Sequence, residues 1–134
     1  MTWLIAEDEA DIRNLIAAMC TIWGYQTIIF ESGQKVWDWL DSVESQTFNG
    51  KMPDFVLMDI RMPGKKGNEV AHRMRTISRF SNIPIALMTA YSLSEAEKEV
   101  MLKRDGVDRI IAKPLPEFAE LHSLLHQIIA SKQN

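Results

Sequence analysis

Short apolar runs punctuate the chain at Trp3 to Ala6, Thr27 to Phe30, Phe55 to Met58, Ile83 to Met88 and Ile110 to Ala112. Each is too short for a stable helix and is bounded by polar or turn-forming residues, so five strands are predicted. The longer segments between them repeat their apolar residues every three to four positions, the period of a helix with one face to bury. The first carries Ile12, Leu15, Ile16, Met19 and Trp23, the third Val70, Met74 and Ile77, and the last Phe118, Leu121, Leu125 and Ile128. The fourth is the weakest, with Ala96, Val100 and Met101 set among Glu95, Glu97, Lys98 and Glu99, and is expected to be loosely held.

Continuously apolar strands alternating with amphipathic helices imply a parallel sheet covered on both faces and joined by right-handed crossovers, a doubly wound α/β fold. No repeat, linker or low-complexity tract divides the sequence, so residues 1–134 read as one domain. The stretch Glu44 to Pro53 exceeds the usual connection in such units and is expected to form a surface excursion. Trp37 and Trp39 precede it, and residues two apart on a helix do not share a face. Both cannot join Val36, Leu40 and Val43 in the core, and the outer ring is expected to lie under the long loop.

Composition narrows the class of function. A chain of 134 residues can bury roughly 68% of its unfolded surface, enough for one core. A formal charge of −3 gives no basic footprint for nucleic acid, so direct nucleic acid binding is not expected. No apolar run approaches the ~18 residues of a membrane helix, and acidic residues begin at Glu7, which points to the cytoplasm and away from membranes. The single cysteine, Cys20, rules out an internal disulfide and reads as a small core residue.

The polar residues that interrupt the pattern are not scattered. Glu7 and Asp8 close the first strand, Asp59 the third, Thr89 the fourth and Lys113 the fifth. In an open parallel sheet the carboxyl ends of the strands form the ligand-binding edge, so four segments should converge on one pocket. Three carboxylates and one ammonium leave a surplus of negative charge, and two carboxylates about 4 Å apart repel by about 4 kcal/mol at an effective dielectric of ~20. Such a cluster calls for protons or a metal. Hard oxygen donors without Cys or His favour Mg²⁺. A carboxylate can also serve as a nucleophile toward phosphorus, with Mg²⁺, the Lys113 ammonium and the Thr89 hydroxyl available to the moving phosphoryl group.

The stretches "LIAEDEADIR", "FVLMDIRMPGKKG", "IPIALMTAY" and "IIAKPL", in this order and spacing, resemble the receiver domains of bacterial response regulators over essentially the full length. The resemblance implies a flavodoxin-like fold, a five-stranded parallel sheet of order 2-1-3-4-5 with five helices. It further implies that Asp59 is the phospho-acceptor, Thr89 the switch hydroxyl and Lys113 the phosphoryl-binding lysine. Asp8, Asp59 and the backbone carbonyl of Arg61 would hold Mg²⁺, with Glu7 acting largely through water. The Lys113-Pro114 bond would be cis. A receiver of this kind is not an enzyme in the ordinary sense, since it catalyses only its own phosphoryl transfer and slow dephosphorylation. Its partners in a two-component phosphorelay would be a sensor histidine kinase or a histidine phosphotransfer protein, and a downstream protein effector.

Three positions depart from the family's common pattern. Glu7 stands where Asp is frequent, which lengthens the arm and keeps the charge. Lys66 replaces a frequent Asp and, with Arg61 and Lys65, makes the rim of the pocket basic. Ile110 occupies the place of a Tyr or Phe, the ring that turns inward in the family's switch; the coupled change is then expected to travel mainly through Thr89, Ala90 and the loosely held fourth helix, with Tyr91 standing over the pocket opposite Arg61 and hindering the water that would attack the aspartyl phosphate.

Other residues carry blander readings. His122 and His126 lie four apart on a helix without a third ligand and are expected on a solvated face, and His72 at the surface. A phosphatase of the haloacid dehalogenase type would place its nucleophile in a DxDx[TV] motif after the first strand, and a flavin-binding relative would need a Ser, Thr and Gly-rich phosphate loop where Glu7-Asp8-Glu9 stands. A degenerate receiver used only for docking should lack the acceptor, acids or lysine that are present here. The sequence ends about a turn past the last apolar helix residues, at Ser131 to Asn134, which fits a stand-alone receiver or the receiver fragment of a longer response regulator or hybrid kinase.

Overall fold

A computed structural model describes residues 1–132. The strands are β1 (Thr2–Ala6), β2 (Gln26–Phe30), β3 (Phe55–Asp59), β4 (Ile85–Thr89) and β5 (Arg109–Ala112). The helices are α1 (Ala10–Trp23), α2 (Gly33–Glu44), α3 (Gly67–Arg75), α4 (Glu95–Lys103) and α5 (Phe118–Ser131). All pairings are parallel and the order is β2-β1-β3-β4-β5, as the resemblance implied. Gln133 and Asn134, in the terminal stretch discussed above, lie outside the described residues.

The apolar runs are continuous because alternate residues serve two cores. Trp3, Ile5, Phe55, Leu57, Ala86 and Met88 pack with Ile16, Met19, Leu121, Leu125 and Ile128 of α1 and α5. Leu4, Ala6, Val56, Met58, Ile85 and Leu87 face Val36, Leu40, Val70, Met74 and Met101 of α2, α3 and α4. A period of two along each strand thus fills both faces. Strand bounds differ from the sequence expectation by a residue or two. Pro84 cannot donate to a ladder, so β4 begins at Ile85 and runs through Thr89. A single 3-10 turn at Ser78–Phe80, not anticipated from the sequence, seats Phe80 under Trp39.

Three expectations about helix faces need correction. Leu15 of α1 is 55% exposed and Phe118 of α5 is 45% exposed, so neither belongs to its buried stripe. His122 and His126 do not sit on a solvated face: their rings stack at 4.0 Å and pack edge-on against Trp23. His126 Nδ1 lies 2.6 Å from the His122 carbonyl, which can only accept, so Nε2 is left to accept from the Tyr25 hydroxyl at 2.6 Å. His72 is exposed, as expected, and reaches the buried Asp105 at 3.2 Å.

Helix α4 buries only Met101, which agrees with a loosely held element. The loop after α2 folds Phe48 onto Trp39 at 5.2 Å, while Trp37 is covered by the cations of Lys65 and Arg73, each 4.5 Å from its ring. Cys20 is buried among apolar neighbours, which pushes its thiol up to about 11. No described helix is long and apolar enough to cross a membrane.

Candidate functional site

The chain leaves β1 in one direction to build β2 and in the other to build β3, so the switch point of the sheet lies between the carboxyl ends of β1 and β3. Asp59 is the last residue of β3, and Glu7 and Asp8 follow β1 directly. Carboxylate oxygens of these three residues lie within 4.8 Å of one another. Lys113 follows β5, where the Lys113-Pro114 peptide is cis. Its Nζ donates to Glu7 Oε1 at 2.6 Å and lies 3.5 Å from Asp59 Oδ1. The residues singled out from sequence at the ends of β1, β3 and β5 therefore meet in one cleft.

Local sequence explains the approach. A Cβ on Gly67 would fall 2.3 Å from the Asp59 carbonyl, so only glycine lets α3 begin against the end of β3, with the Gly67 amide donating to Ile60 O at 2.8 Å. Gly64, at φ 80°, turns the chain beside Gln34, whose amide donates to Pro63 O at 3.2 Å. The loop after Asp59 is thereby fixed at both ends by backbone.

Burial sets the electrostatics. Glu7 is fully buried and Asp8 exposed. Burial pushes the Glu7 carboxyl up to about 7 against the Lys113 hydrogen bond, and the charge of Asp59 adds to the rise. Burial also raises Asp59, opposed by Lys113. The ammonium of Lys113 loses solvation too, but the Glu7 hydrogen bond and the charges of Asp59, Glu7 and Glu9 outweigh that loss and raise it. The cleft is short of positive charge. Three hard oxygen donors that close together suit a divalent cation of the Mg²⁺ type.

Thr89 shares a strand face with Ile85 and Leu87, the face toward α3 and α4, and lines a cavity of about 320 Å³ with Tyr91, Leu93, Lys98, Ile110 and Lys113. Its hydroxyl accepts from the Tyr91 amide at 3.0 Å. Tyr91, half exposed, carries the Arg61 guanidinium 3.8 Å above its ring, so the two rim residues expected to face each other are in contact. Of the other rim cations, Lys66 is exposed and Lys65 is drawn over Trp37.

Sequence reasoning missed Arg13. Its Nη1 donates to the carbonyls of Glu7 at 2.9 Å and Asp8 at 3.3 Å. A cation in the first turn of a helix opposes the macrodipole, and that misfit was the available signal.

The sequence profile described as the response regulator receiver domain matches residues 3–126. Among curated relatives, the sporulation initiation phosphotransferase F of Bacillus subtilis is 31% identical over 98% of this chain and 95% of its own length. The phosphate regulon transcriptional regulatory protein PhoB of Pseudomonas aeruginosa is 31% identical over 84% of this chain, which spans only 45% of that protein. Among solved structures, the receiver domain of sensor histidine kinase PA1611 from Pseudomonas aeruginosa PAO1, described with a magnesium ion coordinated in its active site cleft, aligns at a TM-score of 0.73 and 27% identity, covering 96% of this chain and 97% of that one. A CheY-like receiver from Methanospirillum hungatei JF-1 aligns at 0.78 with 19% identity, covering 98% and 95%, which bears on the fold alone. A family profile that spans nearly the whole chain joins an acid cluster at the switch point of the matching sheet, and the chain belongs to the response regulator receiver domains.

Proposed function

We propose that this receiver accepts one phosphoryl group on Asp59 in a Mg²⁺-dependent reaction and thereby switches its binding to a partner. The observation that carries the reading is the convergence of Glu7, Asp8 and Asp59 with Lys113 in one cleft. A carboxylate oxygen of Asp59 attacks the donor phosphorus. The bond between that phosphorus and the imidazole nitrogen of a histidine kinase or histidine phosphotransfer protein breaks, and the imidazole leaves with the electron pair. Lys113 offers a fixed cation to the phosphoryl oxygens. Asp8, Asp59 and the Arg61 carbonyl would hold Mg²⁺, with Glu7 acting through water, and the ion would supply the remaining charge neutralisation. Thr89, held here by the Tyr91 backbone, is the hydroxyl that re-aims at the new oxygens, and the change passes to Tyr91, Ile110 and α4. Water later attacks the acyl phosphate, returning Asp59 and inorganic phosphate.

The reading places the protein in the cytoplasm, with a downstream protein effector and without nucleic acid or membrane binding of its own. Its catalysis is confined to its own phosphorylation and slow dephosphorylation. Intact mass after incubation with a small phospho-donor and Mg²⁺ tests it. One phosphoryl mass is expected on the wild type and none on Asp59→Asn or without the metal. Equal gain by the variant would move the site elsewhere, and sustained turnover of a phosphate ester would make the protein a phosphatase.

A further inference from the structure

We infer that Arg13 is a positioning residue for the metal-binding carboxylates, an inference that rests on the function just proposed. The backbone between β1 and α1 is tied at almost every group. The Glu7 amide donates to Phe30 O at 3.1 Å, the Glu9 amide to Glu7 Oε2 at 3.2 Å, and Arg13 closes the set by donating to the Glu7 and Asp8 carbonyls. Helix α1 makes no side-chain cap at Glu9, and the guanidinium, which can only donate, reaches back past that position to the two carbonyls of the preceding turn.

The two carboxylates differ in what else holds them. Glu7 is buried, with one oxygen on Lys113 and the other on the Glu9 amide. Asp8 is exposed, and its carboxylate reaches within 4.8 Å of those of Glu7 and Asp59. Fixing the two carbonyls fixes the peptide planes from which Asp8 projects, so Arg13 orders the exposed acid without touching the ion. A planar guanidinium suits this task because one nitrogen reaches both carbonyls.

The sign of the effect separates positioning from charge. Arg13 is a cation beside a cation site. On electrostatics alone its removal should tighten Mg²⁺ binding, whereas loss of positioning should weaken it. Mg²⁺ dissociation constants would be measured calorimetrically for the whole chain, wild type, Arg13→Ala, Arg13→Lys and Asp8→Asn, with phosphorylation rates at limiting and saturating Mg²⁺. We expect Arg13→Ala to weaken Mg²⁺ binding about tenfold, with the rate recovered at saturating metal and the metal-free melting temperature little changed. Arg13→Lys should rescue part of the loss, since an ammonium still reaches one carbonyl. Unchanged or tighter binding by a folded Arg13→Ala, or a rate that saturating Mg²⁺ does not restore, overturns the inference and leaves the proposed function intact. A wild type that does not bind Mg²⁺, or an Asp8→Asn variant that binds it as tightly as the wild type, overturns both.

Discussion

At the amino edge of the sheet, Arg75 donates to the carbonyls of Phe80, Ile83 and Gly106 and to Asp108 at 2.7–3.1 Å. Asp108 in turn accepts from the Ile85 amide at 2.8 Å and meets Lys132 at 3.2 Å. At the carboxyl edge, Lys113 reaches the two buried carboxylates of Glu7 and Asp59, and both are raised by burial. Both ends contain half-buried charge, but one has a partner for every group and the other has too few cations. A satisfied network fastens strands together, while a deficient one favours whatever brings positive charge. The same principle of buried charge thus serves stability at one end and ligand affinity at the other.

Removing Arg75 tests the first half of that contrast and should have the largest effect on stability. Arg75→Ala takes the guanidinium from the Ile83 and Gly106 carbonyls and removes one donor each from the Phe80 carbonyl and Asp108, a loss of about 3 kcal/mol for a broken, largely buried network. We expect the thermal midpoint to fall by roughly 10 °C or more, read by circular dichroism. Phosphorylation of the fraction that stays folded should continue at the wild-type rate. A fall of only a degree or two would mean that water replaces the guanidinium at little cost.

Lys113→Ala probes the cation that meets the buried carboxylates of the deficient end. Phosphoryl transfer should slow about a hundredfold, the usual cost of one electrostatic donor. Mg²⁺ affinity should be kept or increased, because a competing positive charge is gone. Coupling of phosphorylation to partner binding should be lost. Weakened metal binding with signalling intact would contradict this division of roles.

The acid cluster should also give the metal-free protein an unusual pH profile. Glu7 sits at about 7 in the folded protein against an ordinary 4.5, and Asp59 is raised in the same direction. The folded state therefore holds these protons more tightly than the unfolded chain does. The Glu7 contribution is complete below about pH 4.5 and is lost as pH rises through about 7, and that of Asp59 has the same sign. Without Mg²⁺ we expect melting to drop by several degrees over that window, and Asp59→Asn to recover part of the loss at pH 8. With Mg²⁺, which binds the deprotonated carboxylates, the slope should flatten or reverse. A metal-free protein that gains stability across the window would show that the cluster is already balanced.

The parts of this molecule that could be read from sequence are those where one segment carries the whole signal. Phe55 to Met58 is apolar at every position because a parallel strand has two buried faces, and Asp59 stands out because it ends that run. Glu7-Asp8 and Lys113 are legible for the same reason. Periodicity identifies a helical face but not how far its neighbour reaches, so Leu15 and Phe118 were assigned to stripes that stop short of them. Spacing put His122 and His126 on one face, yet Trp23 and Tyr25, which cover them, come from the far end of the chain. The pair Arg75 and Asp108, separated by 33 positions, leaves no local trace at all. Arg13 was a local misfit whose partners, six and five positions back, were near enough to find.

The smallest effect expected concerns how long the deficient end keeps its phosphoryl group. Tyr91 and Arg61 come from the loops that follow Thr89 and Asp59, and their stacking at 3.8 Å spans the two sides of the cleft. Tyr91 remains 54% exposed, so the contact is worth about 0.5–1 kcal/mol, enough to change a rate by a factor of two to five. If the aspartyl phosphate proposed above forms beneath this rim, opening the rim should speed its hydrolysis by that factor. Ile110 lines the cavity behind Thr89 and has no ring to turn inward, so its influence should fall on the partner surface and not on water. Decay of the phosphorylated protein would be followed for wild type, Tyr91→Ala and Ile110→Tyr, with partner affinity measured on the same samples. Faster decay in Tyr91→Ala alone, with altered affinity in Ile110→Tyr, is the expected pattern. If Tyr91→Ala decays no faster than wild type, the stacked pair does not shield the acyl phosphate, and its contact with Arg61 serves only to order the loop.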